Sequence, residues 1–348
     1  MKTSMFGLVL AGLIAFAAEA ADSVRWPVWL ARGETESVDV YGLRLNAPEG
    51  TCSQMIGVDL GWIGHAQDFY GLGLNLYAND VSGTFIGPQI GVFNSAAVGH
   101  VSFQIGFWRN ESQTFSGFQT AIGQNSAESL TGFQTALLWK NEAQNVTGAQ
   151  TALWRNDAVN LTGLQTALWQ NDTQTADGFQ TAITKNKAQA VNGFQTAIFK
   201  NESPTLCGFQ GGCVNESVYV SGVQAGLFNR AEDMTGLSAG LVGRAQYFNG
   251  IQCNLLRNEA SEALSGFQIG INNSTPVGNM LGLQAGLWNE AQTMNGCQVG
   301  LINLADYAEG LQVGLINRVE DLSGYQIGLV NVIRGSTVRF CPIINVGF

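Results

Sequence analysis

The sequence predicts an all-β fold, a repetitive β-solenoid of about nineteen coils, from three observations. A Gly-x-Gln signature starts a new unit at Gly57, Gly71, Gly87, Ser102, Gly117, Gly132 and onward to Gly324, with every gap 14, 15 or 16 residues. Such a short, sustained period is the mark of stacked supersecondary units. Within a unit such as "GLQVGLINRVEDLS" (310–323), Leu311, Val313 and Leu315 alternate with Gln312, Gly314 and Ile316, which is strand periodicity. Finally, all the connections share one length and one chemistry, whereas an up-and-down barrel alternates short turns with long loops.

From the N-terminus, "MKTSMFGLVLAGLIAFAAEAADS" combines Lys2, an apolar run from Met5 to Ala18 and the small residues Ala18 and Ala20 around a cleavage point. It reads as a signal peptide over 1–20, which directs the chain out of the cytoplasm. Residues 21–56 form an N-terminal capping segment, 57–337 the repeat domain and 338–348 a closing strand. Each unit reads as two short strands turned at Asn and again at Gly. Where a unit has 15 residues, the extra one sits just before Asn, as Arg155 does in "ALWRND". The alternation sets an expectation of packing: the row of Leu153, Leu168 and Ile183 faces the interior, and the Gln row faces out. The alternative is an up-and-down transmembrane β-barrel with a pore or structural role. "RFCPIINVGF" supports it by alternating to a terminal aromatic, although each alternating run of about seven residues is short for a membrane strand.

Composition narrows function. With 12% charged residues, a net charge of −10 and a pI near 4.6, the chain offers no basic patch for nucleic acid. Cys52, Cys207, Cys213, Cys253, Cys297 and Cys341 lack the spacing of a stapled domain, and Cys213, Cys253 and Cys297 fall on repeat positions otherwise filled mostly by apolar residues. They read as buried small hydrophobes. His65 and His100 have no partner at metal-ligand spacing, no P-loop or Gly-x-Ser-x-Gly elbow is present, and no Ser, His and Asp form a nucleophile set. The reading is therefore a non-enzyme with no cofactor and no metal. Asn-x-Ser/Thr sequons at Asn110, Asn145, Asn160, Asn171, Asn201 and Asn215 follow from Asn serving as the turn residue.

The run "VYGLRLNAPEG" (40–50), then "GVDLGW" (57–62), the "GLQxGLxN" units and the closing "PIINVGF" together resemble uncharacterised exported bacterial surface-repeat proteins with GLQxGLxN-type repeats. The likeness covers about 40–348. It departs in the middle third, where "GFQTA" replaces "GLQIGL". The resemblance implies an exported location (cell surface, periplasm or outer membrane) and a repeat architecture, and it carries no catalytic residue.

The remaining candidates are rows. Trp139, Trp154 and Trp169 form a strip for sugar stacking or a seam between protomers. Gln150, Gln165 and Gln180 belong to a row that either binds a surface ligand or forms a ladder of amide hydrogen bonds between coils. A parallel row of Thr includes Thr181 and Thr196. The expected role is a binding or structural scaffold of the cell envelope, contacting a glycan, another envelope component or its own copies, and contacting membrane only if the barrel holds.

Overall fold

The computed structural model describes residues 24–25, 27–31 and 38–348. The expected signal peptide, 1–20, lies outside them. The described chain is all β, with no helix, and its parallel coils stack as a β-solenoid of about twenty turns, not a barrel. It divides into two compact units, Met1–Thr173 and Gln174–Phe348.

In the first unit the strands Gln124–Ala136, Lys140–Ala152 and Arg155–Ala167 lie parallel and in register. Like stacks on like: Gln134 on Gln150, Asn141 on Asn156, Gly148 on Gly163. The same register holds in the second unit, where Gly193 meets Gly208 and Gly222 meets Gly236. Gly is required at each unit start. Gly132 has φ of 131°, and a Cβ built there would lie 2.2 Å from the Gly117 carbonyl oxygen in the coil before. Only Ser102 breaks the row, and there the left-handed backbone moves one residue back to Val101, at φ 46°.

The interior reverses the expected packing. Counting the unit's first residue as zero, the inward positions are Gln at +2, Ala or Gly at +4, Asn at the corner, a small residue two beyond it, and one Leu, Val, Phe or Met near the unit's end. Gln150, Gln165, Asn141 and Asn156 have no exposed surface, and Ala152, Ala158 and Leu161 are buried beside them. Leu153, Leu168 and Ile183 are instead 44%, 47% and 41% exposed. The reason is volume. A closed coil of about fifteen residues leaves room for small side chains, slim amides and one larger apolar group near the unit's end, so Trp and most Phe and Leu residues are placed outside. The thiols follow: Cys253 is exposed, Cys213 and Cys297 are half-exposed, and all six cysteines are free. Asn110, Asn171, Asn201 and Asn215 are buried and closed to modification in the folded chain, while Asn145 and Asn160 face solvent.

Burying so many amides is tolerated because nearly all their polar atoms find partners along the stack. In the first unit Asn94 Nδ2 donates to Asn110 Oδ1, Asn110 to Asn125, Asn125 to Asn141 and Asn141 to Asn156, at 2.8 to 2.9 Å. The second amide hydrogen goes to a backbone carbonyl in the next coil, as from Asn125 to Thr135 at 2.8 Å. Because that carbonyl can only accept, it fixes which way the amide points. The Gln ladder runs in the opposite direction: Gln119 Nε2 donates back to Gln104, Gln134 to Gln119 and Gln150 to Gln134, at 2.7 to 2.8 Å. The second unit repeats both ladders, Asn289 donating forward to Asn303 and Gln298 back to Gln284, each at 2.8 Å.

The three units without Gln show how the ladder tolerates gaps. Where Gly73 replaces Gln, Asn75 stands at +4 and fills the space, bonding Asp59 at 2.8 Å and Asn79 at 2.7 Å. Where Ser238 and Gly243 replace Gln and Asn, Asn254 reaches Ser238 Oγ at 3.2 Å and Asn258 at 2.8 Å. Asp59 itself begins the series and is held by Arg44 in a buried pair, with both contacts at 2.7 Å. The C-terminal end is covered differently. Phe340–Gly347 turns back antiparallel on Asp321–Ile333, so the alternating tail that suggested a barrel is a strand covering a sheet edge.

Replacing Gln134 with Leu strands the Gln119 acceptor and the Gln150 donor. An orphaned buried group costs about 1–3 kcal/mol, so the expected destabilisation is about 2–4 kcal/mol by denaturant titration. Leu168→Asp, on the outside, should change stability by less than about 1 kcal/mol in the same measurement.

Candidate functional site

With the large apolar side chains outside, each unit presents an uncharged outer face. It is built from positions +1, +3, +5 and +6, the first three carried by one extended segment and the last by the corner beyond it. No Asp, Glu, Lys, Arg or His occupies any of these positions in any of the nineteen units. In the first unit Phe103, Phe118 and Phe133 stack along +1, with centroids 5.3 and 5.0 Å apart and ring planes within 7°. Between +3 and +5 runs an apolar trough of about 490 Å³, walled by Ile90, Ile105, Phe107 and Ile122 over the glycine floor of Gly91 and Gly106. In the second unit Phe179 and Phe194 stack at 4.9 Å.

The tryptophans lie at the border of this face. Trp139, Trp154 and Trp169 are all about half exposed. Trp154 and Trp169 stack at 5.0 Å with planes 5° apart, while Trp139 meets Trp108 edge-on at 6.4 Å. Stacking turns the broad ring faces toward each other and leaves edges outward. A sugar ring packs on an aromatic face, so the arrangement suits a packed seam better than a sugar strip. Gln150, Gln165 and Gln180 belong to the interior ladder and offer nothing to a surface ligand. Thr181 and Thr196 lie on the outer face, with hydroxyl oxygens 3.3 Å apart.

Beyond the corner the surface becomes charged. In the first unit Lys140 pairs with Glu142 at 2.6 Å, and Arg155 with Asp157 and Asp172. In the second, Lys200 bridges Glu202 at 2.6 Å and Glu216 at 2.8 Å. Exposed pairs add little stability, but they mark a sharp edge to the apolar face.

Two clusters of titratable groups occur near the start of the repeats. In the buried one, Arg44 holds Asp59 and also donates to Cys52 Sγ at 2.9 Å and to the His65 carbonyl at 2.8 Å. Burial opposes the guanidinium charge, but the bonds and charge of Asp59 outweigh it and leave the Arg44 pKa raised. Burial pushes the Cys52 thiol up to about 11, so it is protonated and inert at neutral pH. The second cluster is half-exposed. His65 Nδ1 lies 3.1 Å from Asp80, His65 Nε2 lies 3.5 Å from Glu49, and the Ser95 hydroxyl bonds the other oxygen of Asp80. Ser95 donates to the Asp80 carboxylate and has no contact with the imidazole, so the three do not stand in the Ser–His–Asp order of a nucleophile set. Among the described residues no group of three or more His, Cys, Asp or Glu is placed to hold a metal ion.

Sequence reasoning named the Trp row but missed the face it borders. The signal was present as the exclusion of charge from four positions per unit. No protein-family model matches the chain, and no curated protein and no solved structure matches it.

The hydrogen bond to Asp80 raises the His65 pKa against a smaller opposing effect of burial, and the bond to His65 is the largest influence on Asp80, whose pKa is lowered. The His65 contribution to stability is therefore complete below its unfolded value, about 6.5, and is lost as pH rises through the folded value. That of Asp80 is lost as pH falls through its own depressed value. NMR titration should place the His65 midpoint above about 6.5. Asp80→Asn should lower that midpoint and flatten the dependence of melting temperature on pH in the same window.

Proposed function

We propose that this chain is an exported, non-enzymatic repeat protein of the bacterial envelope, acting as a structural scaffold through its outer apolar face. The observation that carries the reading is that face: exposed, continuous from coil to coil within each unit and free of charge. An exposed apolar patch of this extent marks an interaction surface. Most of the buried amides are engaged in ladder bonds, and both titratable clusters are engaged in contacts that hold coils together. Neither leaves an activated nucleophile. The N-terminal sequence supports export, and the likeness to exported bacterial surface-repeat proteins agrees with it. The stacked, edge-out tryptophans favour packing against protein or an apolar envelope component over binding a glycan.

Fractionation of cells expressing the full chain tests this. Wild type should be found in the envelope fraction, processed near residue 20, and the Trp139→Ser, Trp154→Ser, Trp169→Ser variant should melt like wild type yet be released several-fold more readily by salt-free washing. A cytosolic, unprocessed chain, or a variant retained as firmly as wild type, would refute the proposal.

A further inference from the structure

The outer face of the second unit carries relief as well as apolarity. Its +3 row begins with small residues, Thr181, Thr196 and Gly211, flanked by large +1 and +5 neighbours such as Phe194 and Ile198, so it forms a groove along the stack. Toward the other end the same row ends in the larger residues Val299, Val313 and Ile327, which fill the space between their +1 and +5 neighbours and close the groove. Eleven units start between Gly178 and Gly324, and the middle one starts at Gly250. Small and larger +3 residues are thus disposed about a centre, with exposed Cys253 at the +3 position of the central coil.

We propose that this face pairs with the same face of a second copy of the chain, across a two-fold axis that runs along the strand direction at the coil of Gly250. Such an axis reverses the stacking direction and keeps each row opposite itself, so the small +3 residues of one copy face the larger +3 residues of the other. Thr196 then faces Val313 of the second copy, Gly211 faces its Val299, and Cys253 faces Cys253. An isologous contact of this kind closes on itself and leaves no end open for further copies. The area suffices. Eleven coils spaced about 4.8 Å apart, spanned by five residue steps of about 3.3 Å, give a face on the order of 850 Å² per copy. Stable interfaces bury about 800 Å² per partner, and their centres are depleted of charge, as this face is. Two sheets packed in this way sit about 10 Å apart. A fluid lipid surface would need no such pairing of small with larger residues along one row. The proposal rests on the outer face being the working surface and adds what covers it.

The test uses the full chain without detergent. Light scattering after size exclusion should give twice the chain mass for wild type. Cys253→Glu and Cys253→Lys each place like charges against each other and should give single-chain mass with unchanged melting, because residue 253 lies outside the interior. Mixed in equal amounts, the two variants should regain the double mass, since only at a self-opposed position does each charge meet its opposite. Several outcomes would overturn the pairing: wild type that stays monomeric at every concentration, wild type that disperses only as a monomer in detergent or floats with phosphatidylcholine vesicles, either variant keeping the wild-type mass, or a mixture that stays monomeric. If the pairing fails while the tryptophan variant still leaves the envelope, the scaffold reading survives and its occupant is a different molecule.

Discussion

The structure depends on side-chain amides that bond to their equivalents one coil away. A buried amide without a partner is costly, and a buried amide with all its partners makes a single register the only acceptable one. Sliding a coil by one residue would place Gln134 opposite a neighbour such as Ala149 or Thr151 that points the other way, and Asn141 opposite a charged residue, breaking both ladders at once. The opposed directions of the two ladders also matter. Asn amides point their donors toward the C-terminus and Gln amides toward the N-terminus, so the aligned dipoles of one row are offset by those of the other. Direction has a visible cost where a Gln run stops: Gln224, whose next coil carries Ser238, and Gln326, whose next strand is antiparallel, each retain an unpartnered Oε1.

An interior of amides and small residues forces the rest of the design. With little space inside, the larger apolar side chains extend outward, and the surface hydrophobicity that most soluble proteins avoid becomes systematic. Charge is confined to the far side of the corner, where Lys, Arg, Glu and Asp pair along the stack. Each coil is therefore two-sided toward solvent, and stacking turns that local property into a continuous face in each unit.

The boundaries follow from the same demand for partners. At the start, Arg44 and Asp59 replace the first amide rungs with a buried ion pair whose oxygens also accept from Asn46 and Asn75. A pair buried so deeply is sustained only when every remaining lone pair is engaged. At the other end, the antiparallel strand Phe340–Gly347 takes up the edge that a further parallel coil would have occupied.

By itself the sequence determined the fold class, the coil boundaries and the turn positions, because a Gly-x-Gln period of 14 to 16 residues with alternation inside each unit leaves few ways to pair strands. It also contained the compensating pairs, Gly73 with Asn75 and Ser238 with Asn254, as departures from the repeat. What it did not decide was which side of the strand is inside. Alternation defines two faces without saying which is buried, and the usual rule that apolar faces go inward placed Leu168 in the core and Gln165 at the surface. Only the closed coil settles the matter: its interior takes one larger apolar group per unit, such as Leu161 or Phe115, and has no room for whole rows of Phe, Trp and Leu, while stacking at strand spacing gives each amide in the running ladders a partner above and below. That partnership exists between residues about fifteen apart, and it becomes real only once the coils are stacked.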